Sequence, residues 1–391
     1  MNRNSRQLTQ ALRRFAGQLG FAAVGVTPAV TPTGISRFYQ WLQAGYAGQM
    51  RYLTDRAECY AHPRHVLEGV RSLVVLALPY RTQEPAPAVP GQGRVSRYAW
   101  GIDYHDLARR RLKQLVRWLH QQAGPCRARG VVDTAPLLER DFAQMAGLGW
   151  IGKNTLLLNR NLGSWFFLAV LLTDLELEYD PPQEKGHCGT CTACLDACPT
   201  GAFVAPGVLD SRRCISYLTI ELKDSIPREL RPGIGSWLFG CDVCQEVCPW
   251  NRKAPVAEEP AFEPQPGLNP VELLELFSLS EEAFRRRFRH TPLWRPRRRG
   301  LLRNAAVVLG NQRCARAVPV LARALQHEAD PVVRGACAWA LGRIATAEAL
   351  AALKRQAAAE TDPEVQQEIR LALEEAPRAK AALAAESSGC H

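Results

Sequence analysis

The chain has 391 residues, 47% of them hydrophobic and 22% charged, which allows two or three domains with cores of their own and excludes one compact unit. Its formal net charge of +11 favours a polyanionic partner. Polar residues with Arg3 and Arg6 open the chain without the apolar run of a secretory signal, and no stretch of about 18 apolar residues is present to cross a bilayer, so a soluble cytoplasmic protein with no membrane partner is expected.

Residues 1–180 have the character of an α/β domain. Leu8, Leu12, Phe15 and Leu19 fall at helical spacing and stop at Gly20. Apolar runs predict strands over 22–26, 72–78, 130–133 and 165–172, an amphipathic helix over 106–122, and a Pro/Gly/Ala-rich loop over 83–93. The stretch from Arg97 through Tyr98, Trp100, Asp103, Tyr104 and His105 is dense in aromatic and titratable groups, as a large conjugated ligand requires. Taken alone, His105 reads as a hydrogen-bonding or surface histidine. Asp133 ends the third strand, where apolar surroundings would raise its pKa and make it a proton donor; the competing role is a helix N-cap or turn residue. Gly147, Gly149 and Gly152 form a loose turn that matches neither a phosphate-cradling loop nor a dinucleotide fingerprint.

Eight of the thirteen cysteines follow, as Cys188-x2-Cys191-x2-Cys194-x3-Cys198-Pro199, then Cys214, then Cys241-x2-Cys244-x3-Cys248-Pro249. A short loop wraps three corners of a cubane, and the cysteine before proline crosses to the other cluster. That rule assigns Cys188, Cys191, Cys194 and Cys248 to one [4Fe-4S] cluster, and Cys198, Cys214, Cys241 and Cys244 to a second. Leu238 stands where a ferredoxin-like run would place the first thiolate of the second motif, and Cys214 is its substitute. Zinc suits paired CxxC motifs better than this triple run, and clustered thiols belong to a reducing compartment rather than to a disulfide framework. Cys59, Cys126, Cys314, Cys337 and Cys390 have no ligand spacing.

Beyond residue 255 nine arginines occur between Arg285 and Arg303, interleaved with Phe284, Phe288 and Trp294, which either anchor the segment or stack on bases. Arg285, Arg286, Arg287, Arg297, Arg298 and Arg299 are candidates for phosphate contact, the alternative being a solvated linker. Further on, Leu309-Gly310 recurs as Leu341-Gly342 and Asp330-Pro331 as Asp362-Pro363, each 32 positions later. Such a period marks stacked helix pairs resembling HEAT repeats. Residues 386–391 are expected to be disordered.

The ordered set Ser96-Arg97-Tyr98-Ala99, Asp103-Tyr104-His105, Val132-Asp133-Thr134-Ala135-Pro136, Gly149-Trp150-Ile151-Gly152-Lys153-Asn154, Gly163-Ser164-Trp165-Phe166, the first cysteine motif and the run from Cys241 to Asn251 resembles the epoxyqueuosine reductase family. The resemblance covers residues 96–251, and the helical repeats extend it nearly to the end. It implies a cytoplasmic, monomeric enzyme that binds two [4Fe-4S] clusters and base-off cobalamin, takes electrons from an external low-potential donor, and reduces epoxyqueuosine to queuosine at the wobble position in the anticodon stem-loop of tRNA, the last step of queuosine biosynthesis. The family's catalytic Asp maps onto Asp133, and motif position makes Arg97, Lys153, Asn154 and Ser164 the cofactor-binding candidates. Ala108 occupies the glycine position of a cobalt-ligating Asp-x-His-x-x-Gly pattern, so no residue below the cobalt is indicated.

The fold implied is an α/β cobalamin-binding domain, nitroreductase-like or related, over 1–180, a ferredoxin-like two-cluster module over 181–255, a basic linker over 256–300 and an all-α HEAT-like, tRNA-binding domain over 301–385. Two rivals remain at this point: a corrinoid reductive dehalogenase, which commonly carries an export signal, and a ferredoxin-type electron carrier on a helical scaffold.

Overall fold

The structure is a computed structural model that describes the backbone of residues 3–388 and the side chains of residues 5–376. It divides into two units whose segments interleave along the chain: Met1–Glu84, Gly101–Arg212 and Asp242–Glu263 form the first, and Pro85–Trp100, Arg213–Cys241 and Pro264–His391 the second. No helix among the described residues is long and apolar enough to cross a membrane.

The first unit contains, in chain order, α1 (Arg3–Gln18), β1 (Ala23–Pro28), β2 (Ser72–Pro79), α2 (Tyr104–Ala123), β3 (Ala128–Val131), α3 (Glu139–Met145) and β4 (Phe166–Thr173). The strands form one sheet in the order β1-β2-β4-β3, and all three pairings are antiparallel. Leu73, Val75 and Ala77 of β2 share a core with Val170 and Leu172 of β4 and with Phe142 and Ala143 of α3. On the opposite face α2 packs on β3 and β4. A strand covered on both sides reads as an unbroken apolar run, and each Leu or Val so buried contributes about 1.5–3 kcal/mol on leaving water.

The strands foreseen near residues 22, 72 and 165 and the helix foreseen over 106–122 are present within a few residues of those bounds. Asp103 caps the first turn of α2 by accepting a hydrogen bond from the His105 backbone N–H at 3.0 Å. The third strand lies two residues earlier than expected: β3 ends at Val131, and Asp133 stands on the loop beyond it. The rule that places functional groups at strand ends belongs to parallel sheets, so this antiparallel sheet does not account for the position of Asp133. The proposed N-cap role fails too, because α3 starts at Glu139 and its N-cap is Leu138.

The second unit holds a three-stranded sheet in which Gln92–Val95 pairs parallel with Trp237–Phe239 and antiparallel with Val271–Glu272. The end of the foreseen 83–93 loop is therefore strand. The longer helices that follow are α4 (Glu281–Phe288), α5 (Arg297–Asn311), α6 (Val318–His327), α7 (Pro331–Ile344), α8 (Ala347–Ala357) and α9 (Pro363–Ser388). Helix α7 packs on α5, α6, α8 and α9. The Asp-Pro repeat is a repeated helix start: Asp330 Oδ1 accepts from Val332 N at 2.9 Å, Asp362 Oδ1 accepts from Glu364 N at 3.0 Å, and proline takes the first helical position. The Leu-Gly repeat is a close approach, since a Cβ at Gly310 would lie 2.7 Å from Trp339 and one at Gly342 would lie 2.7 Å from Ala372. Helix α9 runs into the segment expected as a tail, whose last three residues lie outside the described ones.

The arginine-rich segment is not uniformly free. Phe284 and Phe288 are buried, and Trp294 stacks on Phe284 at 5.6 Å, so these aromatics anchor the segment rather than await bases. The Arg297 guanidinium lies 4.2 Å above the Trp294 ring. Arg298 donates to Glu328 and to the Leu279 carbonyl, and Arg299 pairs with Asp330 at 2.9 Å. Arg303 is 1% exposed and donates to the carbonyls of Leu218, Leu222 and Asp224, which is an internal structural role.

Candidate active site

Two cavities of the first unit bring together the residues singled out in the sequence. The first, about 220 Å³, is lined by Tyr104, Asp133, Glu139, Arg140, Leu156, Leu157, Ser164, Phe166, Phe167 and Leu168. Its wall is apolar and aromatic, with a few acids and one arginine, which is the composition that accepts a flat ring system and orients it through a small number of polar contacts. Tyr104 stacks on Phe167 with ring centroids 4.0 Å apart and planes 9° from parallel.

Asp133 is held from two directions. The Tyr104 hydroxyl donates to its Oδ2, and His105 Nε2 lies 2.5 Å from its Oδ1. On the other side of the ring, His105 Nδ1 is 2.7 Å from Asp103 Oδ1. The cap that starts α2 thus also orients the imidazole. His105 is 9% exposed, and its role went unread in the sequence because its partner lies 28 positions away on a loop. In the first turn of α3, Glu139 and Arg140 line the cavity. Asp141 turns instead toward Thr33 and Arg37.

The second cavity, about 230 Å³, is lined by Cys188, Cys191, Cys194 and Cys248 together with Lys153, Asn154, Leu158, His187 and Trp250. Three thiols come from one motif and the fourth from the other. Burial, and then the neighbouring thiolates, push the Cys194 and Cys248 thiols up from the ordinary value. Four thiolates crowded in this way are stable only around a strongly positive centre, so the donor set fits an iron-sulfur cluster. Lys153 Nζ donates to the Gly189 and Cys191 carbonyls at 2.8 and 2.9 Å, and Asn154 Nδ2 donates to the Cys244 carbonyl at 3.4 Å. These two cofactor-binding candidates therefore brace the cysteine loops. Of the remaining cysteines, Cys198 and Cys244 belong to the first unit and Cys214 and Cys241 to the second, as does the buried Arg97.

A short hairpin, Trp150–Ile151 paired with Leu157–Leu158, separates the cavities. Leu157 lines the first and Leu158 the second. Adjacent strand residues point to opposite faces, so one strand's thickness divides thiols from acid. Ser164 is fixed alongside by a buried network in which its Oγ accepts from Gln245 Nε2 and Asn251 Nδ2, both at 3.0 Å. Its neighbour Gly163 has φ +65°, and a Cβ there would meet Asn251 Oδ1 at 2.2 Å, so only glycine allows this contact.

A cavity lined by four cysteines that fits a cluster, set one strand away from a hydrogen-bonded acid, is the arrangement of an iron-sulfur oxidoreductase. Three family models match in the same order: "Epoxyqueuosine reductase QueG, DUF1730" over residues 61–134, "4Fe-4S double cluster binding domain" over 187–251 and "HEAT repeats" over 298–374. The chain is 45% identical over 343 residues to the epoxyqueuosine reductase of Pseudomonas aeruginosa, covering 86% of this chain and 94% of that one. Against that of Escherichia coli it is 44% identical over 309 residues, covering 78% and 81%. Among solved structures it resembles an epoxyqueuosine reductase crystallised with an epoxyqueuosine-modified tRNA-Tyr stem loop, at TM-score 0.88 and 34% identity over 94% of this chain and 98% of that one. The Bacillus subtilis enzyme, with its catalytic aspartate loop swung out of the active site, matches at TM-score 0.86 and 32% identity over the same shares. The chain belongs to the epoxyqueuosine reductase family.

Proposed function

We propose that this protein reduces the epoxide of epoxyqueuosine at the wobble position of tRNA to the alkene of queuosine, the last step of queuosine biosynthesis, as a cytoplasmic monomer. The observation that carries the reading is Asp133, clasped by Tyr104 and His105 at the rim of an apolar cavity one strand from four cysteines. Two [4Fe-4S] clusters, held by Cys188, Cys191, Cys194 and Cys248 and by Cys198, Cys214, Cys241 and Cys244, and bound cobalamin supply the two reducing electrons from an external low-potential donor. A nitroreductase-like relationship of the cobalamin-binding part is the fold expected around the first cavity, with Ser164 on its wall, Lys153 and Asn154 across the hairpin and Arg97 as a further candidate contact.

Asp133 is the proton donor. Asp103 accepts from His105 Nδ1–H, which leaves Nε2 and Asp133 Oδ1 to share one proton between them. Delivered to the departing oxygen, that proton avoids expulsion of a bare alkoxide, an effect typically worth about 10²–10⁴ in rate. Tyr104 keeps the second oxygen of Asp133 aimed into the cavity, and its stack on Phe167 fixes the hydroxyl in turn. The modified base reaches the cavity by leaving its loop stack. Arg285, Arg286, Arg287 and Arg297, with Arg298 and Arg299 partly engaged in ion pairs, hold tRNA phosphates, which position the stem without reading sequence.

The deciding assay is anaerobic incubation with cobalamin, a low-potential reductant and epoxyqueuosine-bearing tRNA, followed by mass analysis of the nucleoside for loss of one oxygen. Asp133→Asn should keep iron and corrinoid content and abolish that loss; full turnover in this variant would remove Asp133 from the mechanism.

A further inference from the structure

Epoxide-to-alkene reduction needs two protons. Both carbon–oxygen bonds break, two electrons enter, a carbon–carbon double bond forms and the oxygen leaves as water. The Asp133–His105 pair holds one transferable proton, so the second requires a source. Glu139 lines the same cavity at the start of α3. Although the residue is partly exposed, its Oε1 is shut off from solvent and has no hydrogen-bond partner. A buried carboxyl oxygen without a partner costs free energy and calls for an explanation. We propose that Glu139 is the store of the second proton and gives it to the departing oxygen after Asp133 has given the first; the inference rests on the epoxide-reductase reading above.

The surroundings suit that role. Burial, then the charge of Asp133, raise the Glu139 carboxyl to about 8, against an opposing pull from its own backbone N–H and from Arg140. Tyr60 also faces it, since the Glu139 charge helps raise the phenol. At pH 7 Glu139 is therefore neutral and loaded without help from any base. Once Asp133 is anionic, its charge holds the Glu139 proton in place until the more basic leaving oxygen takes it. Solvent then refills both acids.

Glu139→Gln keeps the shape and removes the transferable proton. In single-turnover reactions under reductant its rate should fall about 10–100-fold. The alkaline limb of the wild-type pH profile, centred near pH 8, should vanish, while iron content, corrinoid binding and tRNA affinity stay unchanged. A readout independent of activity is the pH dependence of folding. The wild type should lose stability as pH rises from about 4.5 to about 8, because its folded form binds the extra proton there, and Glu139→Gln should be flat in that window. Glu139→Asp should restore part of the rate and an alkaline limb. If wild type makes queuosine and Glu139→Gln does so at the same rate with the same pH profile, the proton store is wrong and the function stands. If wild type removes no oxygen from the nucleoside, the function itself fails.

Discussion

His105 Nε2 sits 2.5 Å from Asp133 Oδ1, joining the first turn of α2 to the loop after β3. The contact makes the acid and the imidazole one protonic unit, so removing the ring should remove more than a neighbour. His105→Ala is expected to lower turnover about 100-fold with cluster and corrinoid content intact. Asp103→Asn keeps a side-chain oxygen for the α2 cap but changes the partner of His105 Nδ1, so it should cost less. Wild-type turnover in His105→Ala would separate the ring from proton delivery.

Cys248 lines the cavity of Cys188, Cys191 and Cys194. Replacing it with Ala should remove one cubane, about four of eight irons per chain, and leave the other cluster visible by electron paramagnetic resonance. Because the lost cluster lies across the Leu157–Leu158 strand from the acid, turnover should cease even where tRNA still binds. Retention of all eight irons would reassign the ligands.

The arginine segment should divide by function. Arg285→Glu with Arg286→Glu, on α4, should weaken tRNA binding about tenfold and flatten its dependence on salt without lowering the melting temperature. Arg298→Glu breaks the bonds to Glu328 and to the Leu279 carbonyl, so its first effect should be on stability. Equal melting temperatures across these variants would contradict the division.

Glu360 shows the opposite electrostatics to Glu139. Burial alone would raise its carboxyl, but paired bonds from Arg334, the Asp362 backbone N–H and Gln356 hold it down to about 2. Its stabilising contribution is complete above about pH 4.5 and is lost as pH falls through about 2. Glu360→Gln should destabilise the helical repeats by about 2 kcal/mol at pH 7, measured by urea unfolding, and the difference from wild type should shrink below pH 3.

Much of the scaffold was legible because it follows local rules. Apolar runs marked β1, β2 and β4, helical spacing marked α1 and α2, and the Asp-Pro repeat marked the starts of α7 and α9. What stayed hidden depends on partners distant in sequence. Gln92–Val95 looks like loop because its strand neighbours come from residues 237–239 and 271–272. Asp133 was legible as an acid through its motif, but its loop setting and its grip by Tyr104 and His105 were not. The basic segment looked uniform because charge counting cannot tell Arg303, packed against carbonyls, from the exposed Arg285 on α4.

The cavity shared by Cys188, Cys191, Cys194 and Cys248 also sets a timetable for biogenesis. A nascent chain that has exposed only the first cysteine motif offers three of the four thiols that line it, so a cluster held there would wait for residue 248.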